Sequence, residues 1–462
     1  KSERWESPEQ ALLFDEAEVE SKKRQNPAEV EEVEIEVGPH TRKRGHRKPL
    51  PESLPREIIK LELPPEEQVT DDGTKLKIIG WELSEKLKYE PSKMSVIQYH
   101  RAKYGVDQGD YVKTAPAAPS VIPKGIATPE LLAATIVGKY VDGMPLYRME
   151  YYWQRHGVEL TRGTMARWVI KVAEALMPIW NVLSDRLLAS MYVAVDETHV
   201  QVLKENGRRA EDKSWMWVRS TPADIKKIIL FDYSPSRSQA TAKTLLTDLK
   251  GYLQCDGLAA YDQIAEQENI VRIGCAMHAR RRFEKAAVDG AKSGKSLGAE
   301  GLKFFKDLYD LEEDLKDKDP IERHRLRLEL EKPIWEQLKT WSEQNIKKLP
   351  KKSKIGEAFS YLLNQYDDLV GYLKDGCLNI DNGFTERAIR KFAIGRNNWM
   401  FSDSVEGANA SALLYSLVVT AKVNGVDPYK ALVKIIKELP LAKNIEDFER
   451  LADVILTPEN PV

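Results

Sequence analysis

The stretch from residue 191 to residue 276 constrains the fold most, because apolar and polar positions alternate there in short runs. Three such runs come first and predict consecutive β-strands: MYVAVDETHVQVL (191–203), SWMWVRST (214–221) and KKIILFDYSPS (226–236). The four segments that follow predict helix and strand in alternation: 239–250, 251–257, 261–268 and 270–276. Strands that alternate with helices indicate an α/β domain whose sheet contains parallel pairs.

Three strands, a helix, a strand, a helix and a strand is the order of a ribonuclease-H-like core. We therefore predict a mixed five-stranded sheet flanked by helices and assign residues 191–284 to the first part of this core. Residues 285–378 are highly charged and helical in pattern, which predicts a helical insertion. Residues 379–440 are predicted to complete the core, and residues 441–462 to form a C-terminal tail.

The chain before the core predicts three further regions. Residues 1–65 are acidic first and then basic, with repeated prolines, and predict an extended arm. Short alternating runs within 66–120 predict a small β-rich module. Residues 121–190 predict a helical DNA-binding region. We also expect a segment to precede Lys1, because the sequence does not begin with Met.

The helical region contains a helix-turn-helix pattern, MEYYWQRHGVELTRGTMARWVIKVAEAL (149–176). A turn is predicted at Gly157, and Thr161 is the predicted N-cap of the second helix. Three side chains near the start of that helix could reach a DNA groove: Arg162, Thr164 and Arg167. A helical hairpin that never touches DNA would show the same pattern, so both interpretations stay open.

The distribution of charge leaves DNA binding open. With 70 Lys and Arg against 72 Asp and Glu, the net charge of −2 argues against a uniformly basic nucleic-acid binder. The charges are segregated, however, with an acidic block at 15–36 and a basic strip within 40–56 that suits a narrow minor groove. A charged linker would look the same. If the strip binds DNA, its candidate contacts are Arg42, Lys43, Arg44, Arg47 and Lys48.

No sequence feature indicates export or a membrane. No stretch approaches the roughly 20 apolar residues of a membrane span, and the start of the chain has no secretory pattern. The three cysteines are too few and too scattered for a disulfide framework. We therefore expect a protein of the reducing cytoplasm.

Three acidic residues stand out by their positions in the predicted core. Asp196 lies inside the first strand, Asp256 ends the fourth, and Glu386 follows a turn at 382–383 in a helix that Thr385 could cap. Singly, each has a structural explanation, such as a backbone hydrogen bond or a place in a first helical turn. Two carboxylates about 4 Å apart repel by about 4 kcal/mol at an effective dielectric near 20, so three that converge need cations. Oxygen ligands favour Mg²⁺ or Mn²⁺, and two such ions suit phosphodiester chemistry.

Motifs around these acids resemble the IS66 family of bacterial insertion-sequence transposases. They are VDETHVQVL (195–203), LQCDGLAAYD (253–262), GCAMHARRRFEKA (274–286) and NGFTERAIRKFAIGRNNWMF (382–401). Segments at 1–18, 42–56 and 122–169 resemble the family as well, so the resemblance covers nearly the whole chain.

The resemblance implies a DDE transposase that cleaves DNA at the terminal inverted repeats of its element and joins the ends to target DNA. The triad would be Asp196, Asp256 and Glu386, acting as ligands of two Mg²⁺ or Mn²⁺ ions. Asp262 competes for the second position but falls beyond the strand end. The implied partners are DNA, further copies in a homodimer or higher oligomer, and small accessory proteins of the element. The implied location is the bacterial cytoplasm, at the nucleoid.

The same motifs imply further DNA contacts. Four basic residues share the helix of the third acid and would meet phosphates: Arg387, Arg390, Lys391 and Arg396. Arg281 is a further candidate. His278 stands in a Cys275-x-x-His278 pair and would contact DNA or support the site, although a packed structural role explains it equally well. Trp399 is predicted to fill the core.

The sequence departs from the family's pattern in two places. The family often carries a cysteine-rich zinc module before its helical region, but residues 66–115 contain no cysteine, which predicts a metal-free counterpart. The coiled-coil helix that normally precedes the first motif is not in this sequence. Two other functions remain open: a retired transposase that only binds DNA, and a structure-selective nuclease that cuts without joining.

Overall fold

The computed structural model describes residues 94–105, 112–265, 267, 269–290, 296–350 and 352–458. Its first elements are two short antiparallel strands, β1 (Lys103–Gly105) and β2 (Val112–Thr114). The predicted arm at 1–65 and most of the predicted module at 66–120 lie outside the described residues. So do five of the candidate DNA contacts: Arg42, Lys43, Arg44, Arg47 and Lys48.

Three helices form the next region: α1 (Pro129–Tyr140), α2 (Leu146–Arg155) and α3 (Arg162–Leu188). The predicted turn and cap between α2 and α3 are confirmed. Gly157 has a φ of +79°, and the Thr161 hydroxyl accepts a hydrogen bond from the backbone of Thr164. Helix α3 continues well beyond the predicted end at 176, because its buried apolar stripe extends to Leu187.

A mixed sheet forms the centre of the described chain. Its strands are β3 (Tyr192–Lys204), β4 (Lys213–Ser220), β5 (Ile229–Ser234), β6 (Gly251–Gln254), β7 (Ile270–Ile273) and β8 (Ser402–Ser404). The order is β5-β4-β3-β6-β7, with β3, β4 and β5 antiparallel and with β6 and β7 parallel to β3. The mixed sheet is confirmed, but it has six strands rather than five, because β8 pairs with the far end of β3.

Short connections tie the parallel strands together. Helix α4 (Gln239–Leu245) leads into β6, and a 3₁₀ turn followed by α5 (Asp262–Ala265) leads into β7. Strand β6 begins at Gly251, whose φ is +96°. A Cβ atom there would stand 2.4 Å from the carbonyl oxygen of Met191, so only glycine allows this approach of β6 to the start of β3.

The predicted insertion (285–378) is largely helical, and its first helix begins earlier, within the segment predicted as core. The helices pack around a second apolar core, to which Tyr192 of β3 and Ile273 of β7 also belong. The elements are α6 (Ala276–Gly290), α7 (Leu297–Leu315), α8 (Pro320–Leu326), a π-helical turn (Arg327–Glu331), α9 (Lys332–Ile346), α10 (Lys354–Asn364), α11 (Tyr366–Leu369) and a 3₁₀ helix (Val370–Lys374). Aromatic side chains dominate this core, among them Phe283, Phe305, Trp335, Phe359 and Tyr372. Its apolar cluster is separate from the cluster around the central sheet.

The chain then returns to the sheet through α12 (Gly383–Trp399), β8, α13 (Val405–Val423), α14 (Pro428–Glu438) and α15 (Ile445–Asp453). The region predicted as a tail thus contains a helix, and its Leu451 and Ala452 are buried. Across the described part of the chain, no helix has both the length and the apolar character of a membrane span.

Helix α13 covers the outer edge of β5 with a ladder of polar side chains. Ser416 accepts from the backbone N–H of Phe231 (2.7 Å), and Thr420 both accepts from Ile229 N–H (3.0 Å) and donates to its carbonyl (2.9 Å). Asn424, just after the helix, accepts from Lys227 N–H (2.9 Å) and donates to its carbonyl (2.7 Å). Side chains four residues apart on the helix therefore satisfy backbone groups two residues apart on the strand.

Candidate active site

Asp196 lies on the central strand β3, just beyond its paired segment with β6, which ends at Ala194. Its side chain is largely buried, and its Oδ1 accepts a hydrogen bond from the backbone of Glu197 (2.8 Å). Burial raises the pKa of Asp196 well above its usual range, and the neighbouring charges of Glu197, Glu386 and Asp256 raise it further. Asp256 and Glu386 thus both act on the charge of Asp196, but among the described residues the oxygen atoms of these three acids do not form a group within 4.8 Å of one another.

Asp256 follows the carboxyl end of β6 by two residues. Since β6 is parallel to β3, this end lies at the same edge of the sheet as Asp196. The Asp256 Oδ1 accepts from the backbone of Leu258 (3.0 Å), and its Oδ2 lies 3.9 Å from a guanidinium nitrogen of Arg237. The competing Asp262 instead pairs with Arg272 (2.7 Å), and about half of its side chain is exposed.

Glu386 stands in the first turn of α12, which begins at Gly383. The preceding Asn382 ties this helix end to β3, because its side chain donates to the carbonyl of Val195 (2.9 Å). The prediction that Thr385 caps the helix is wrong. Thr385 lies inside the first turn and is fully buried, and its hydroxyl bonds with that of Ser220 (2.8 Å) instead of a free helical N–H.

Two residues of α6 face Glu386, at helical spacing i and i+3. Arg281 donates to Oε2 of Glu386, and the Nδ1 of His278 lies 3.8 Å from Oε1. Neither His278 Nδ1 nor Glu386 Oε1 has a hydrogen-bond partner among the described residues, although both atoms are buried. Arg281, a predicted DNA contact, therefore already holds a carboxylate.

Cys275 completes a group of potential ligand atoms with His278 and Glu386, all within 4.8 Å of one another. Its Sγ accepts a hydrogen bond from the backbone of Asn382 (3.3 Å), and burial raises the pKa of this thiol to about 12. Burial also lowers the pKa of His278, and it outweighs the opposing effect of Glu386. The imidazole is therefore neutral at neutral pH and can act as a ligand.

Glu197 is a fourth carboxylate of the site, and the sequence analysis missed it. Its side chain is almost fully buried, accepts from Arg237 (2.6 Å) and from the Tyr261 hydroxyl (2.7 Å), and has a pKa raised by burial and by Asp256. Arg237 in turn stacks on Trp215, at 4.8 Å from the ring centroid. The signal available in the sequence was its position directly after Asp196.

The site holds more acidic than basic side chains. Arg237 contacts Glu197 and lies 3.9 Å from Asp256, Arg281 contacts Glu386, and Asp196 has no arginine partner among the described residues. Asp196, Asp256 and Glu386 offer oxygen atoms, and His278 offers a nitrogen atom, that could hold a divalent cation. The unpartnered Glu386 Oε1 and the raised pKa of Asp196 both fit such a cation.

The remaining candidate DNA contacts fall into two groups. Exposed on the surface are Arg162 and Arg167 of α3 and Arg387, Arg390 and Lys391 of α12. Thr164 is partly buried and accepts a hydrogen bond from Arg167 (3.1 Å). Arg396 is also partly buried, and its guanidinium donates to the carbonyl of His199, so it has a partner within the protein. Trp399 packs against the core, as predicted, with the Lys139 ammonium 3.8 Å from its ring centroid.

Comparisons with known proteins identify the family of the chain. A family model described as "Transposase IS66 family" matches residues 124–410, which is more than half of the chain. A second, described as "Transposase C of IS166 homeodomain", matches residues 1–59.

Three uncharacterized proteins of Sinorhizobium fredii (strain NBRC 101917 / NGR234) are also similar. Protein y4qI is 32% identical over 80% of this chain and 70% of its own length. Protein y4hP is 27% identical over 86% and 75%, and y4jD is 28% identical over 84% and 78%. The chain belongs to the IS66 family of transposases.

Proposed function

We propose that this transposase cleaves DNA strands at the ends of its element and joins them to target DNA by a two-metal-ion DDE mechanism. The observation that carries the proposal is the placement of Asp196 on β3, of Asp256 just after the parallel strand β6, and of Glu386 in a helix end that Asn382 ties to β3. The charges of Asp256 and Glu386 both contribute to the raised pKa of Asp196. The strand order, with three antiparallel strands followed by two parallel ones, supports a ribonuclease-H-like core.

Each acid has a distinct structural support. Asp196 is fixed by the central strand, Asp256 by the turn that follows β6, and Glu386 by a helix end that Asn382 anchors to β3. We propose that these three carboxylates hold two Mg²⁺ or Mn²⁺ ions. Bound there, the ions would activate a water molecule or a DNA 3′-hydroxyl and stabilise the leaving oxygen. Arg237 and Tyr261 keep Glu197 in place beside them and act as positioning residues.

The DNA strand would lie along the exposed basic side of α12. Arg387, Arg390 and Lys391 are exposed on the helix whose first turn carries Glu386. Their charges would neutralise phosphates close to the reacting bond, with a contribution that falls as salt concentration rises. Arg162 and Arg167 at the start of α3 are further candidates, for sequence-dependent contacts with the element ends.

The test is to replace single acids with their amides in the full chain. Asp196→Asn and Glu386→Gln should each reduce cleavage and strand transfer by about 10²–10³-fold or more, the effect of losing one preorganised charge contact. Binding to element-end DNA should persist. Asp262→Asn is the matched control, because Asp262 pairs with Arg272 and should be dispensable for the chemistry. Normal cleavage by the Asp196 variant in Mg²⁺ would overturn the triad.

The same assay separates the two other functions. A retired transposase would bind ends but neither cut nor join them, in the wild type as in the variants. A structure-selective nuclease would cut without joining and without a preference for element ends. Either result would contradict the proposed reaction.

A further inference from the structure

A buried gap between two side chains stands beside the three acids. The Nδ1 of His278 and the Oε1 of Glu386 face each other at 3.8 Å, and each is buried without a hydrogen-bond partner among the described residues. Buried polar atoms are ordinarily satisfied, so two that face each other call for a common partner. The distance is too long for a direct hydrogen bond.

The distance between these two atoms allows a single metal ion to bind both. Transition-metal ions bind imidazole nitrogen and carboxylate oxygen at about 2.0–2.2 Å, so one ion can contact both atoms across this distance. The other atoms nearby are already engaged. Glu386 Oε2 accepts from Arg281, and Cys275 Sγ accepts from the backbone of Asn382. The geometry therefore leaves one nitrogen and one oxygen, 3.8 Å apart, without a partner among the described residues.

We infer that His278 is a nitrogen ligand, through Nδ1, of the divalent cation that Glu386 holds through Oε1. One of the two ions would then have a mixed nitrogen and oxygen ligand set rather than the three acids alone. The inference rests on the proposed function, because it shares Glu386 with the triad. Arg281, one helical turn after His278, holds the second oxygen of Glu386 and so orients the first towards the ion.

A nitrogen ligand changes which metal the site prefers. Imidazole suits transition metals, whereas Mg²⁺ favours oxygen ligands alone. The wild-type protein should therefore bind Mn²⁺ more tightly than Mg²⁺. Replacing His278 with a carboxylate should reduce or reverse this preference.

The direct readout is the electron spin-echo spectrum of Mn²⁺ bound to the full chain without DNA. The wild type should show ¹⁴N modulation from a coordinated imidazole. His278→Gln should lose this modulation and bind Mn²⁺ about 10-fold more weakly or worse. His278→Asp should lose the modulation but keep the ion, with a relative gain for Mg²⁺. His324→Gln is the matched control, because His324 Nδ1 is also buried and unpartnered but lies on α8 and not on α6 beside Glu386.

The outcomes separate this inference from the proposed function. Mn²⁺ that binds the wild type and is lost in Asp196→Asn, yet shows no ¹⁴N modulation, would overturn the ligand role of His278 and leave the triad standing. No Mn²⁺ binding by the wild type at all would overturn both. Modulation that persists in His278→Gln, with the variant folded as judged by its thermal unfolding, would assign the nitrogen to another residue and also overturn the inference.

Discussion

Two clusters of buried carboxylates in this molecule are neutralised in different ways. In the insertion, Arg327 forms a bidentate pair with Glu312, at 2.6 and 2.7 Å, and also donates to the carbonyl of Leu378 (3.0 Å). Tyr372 donates to Glu331 in the same cluster. At the sheet edge, Arg281 and Arg237 hold Glu386 and Glu197. Each cluster keeps one buried carboxylate oxygen without a hydrogen-bond partner among the described residues, Oε1 of Glu331 in the first and Oε1 of Glu386 in the second.

Exposure separates the two clusters further. Burial and the charge of Glu312 raise the pKa of Glu331 to about 8, so a proton neutralises this carboxyl at neutral pH. Glu331 and Arg327 are almost completely shielded from solvent, whereas Asp256 and His278 expose about a quarter of their side chains. In the shielded cluster around Glu331 and Arg327, the closed cluster, a proton is enough to neutralise the carboxyl. The cluster at the sheet edge around Asp256 and His278, the open cluster, allows a divalent cation to bind and to exchange with solvent. A buried carboxylate thus indicates a reactive site only where solvent reaches it.

Removing the arginine side chain of the closed cluster should have the largest effect on stability. Arg327→Ala leaves Glu312 without its buried partner and should lower the free energy of unfolding by about 3–5 kcal/mol. Arg325→Ala is the matched control, because Arg325 pairs with Glu322 and Glu329 on the exposed face of the same segment and should change stability little. Denaturant unfolding monitors both variants. Equal losses would remove the distinction between the closed cluster and ordinary surface pairs.

Adding a divalent cation should act only on the open cluster. Mn²⁺ at a hundred times its dissociation constant should stabilise the wild type by about 2.7 kcal/mol, measured as a rise in Tm. Asp196→Asn should lose this response. It should also make the metal-free protein more stable at neutral pH, because the amide removes a buried carboxyl that three other acids repel. A metal-dependent rise of Tm that survives in Asp196→Asn would place the ion elsewhere.

The smallest expected effect is a pH dependence that originates in the closed cluster. The pKa of Glu331 is higher in the folded state than in the unfolded chain, so its contribution to stability is complete below about pH 4.5 and is lost as the pH rises towards 8. Glu331→Gln should flatten this part of the profile and raise the Tm at pH 8. An unchanged profile would mean that Glu331 is already ionised in the folded protein.

The sequence predicted the elements whose pattern is local. Each of the five longer strands has its own apolar alternation, and the cap of α3 depends on Thr161 and Thr164 alone. Strand β8 escaped prediction because Ser-Asp-Ser has no such pattern and pairs only where Val202 comes alongside. Within the candidate site, Asp196, Asp256 and Glu386 were predicted from their positions, but Glu197 was not.

The misses share a physical cause, which is dependence on contacts between distant parts of the chain. The sequence around Thr385 is compatible with a helix cap, but its hydroxyl forms a hydrogen bond with that of Ser220, which is 165 residues away in the chain. The hydrogen bond from the Arg396 guanidinium to a carbonyl of β3 was also not evident from its basic motif, and the contact of Arg396 with DNA stays a prediction. Likewise, Glu197 acquires its place beside Asp256 through Arg237 and Tyr261, which a linear pattern does not bring together.

The polar ladder on α13 also bears on how copies of this protein can meet. An outer strand with free backbone groups invites another chain to add to the sheet, which leads to uncontrolled aggregation. In place of a neighbouring strand, side chains of α13 and the residue after it form hydrogen bonds with these backbone groups. Ser416 bonds with Phe231, Thr420 with Ile229, and Asn424 with Lys227. At this border, the sheet is therefore closed to the addition of a strand from another copy of the chain.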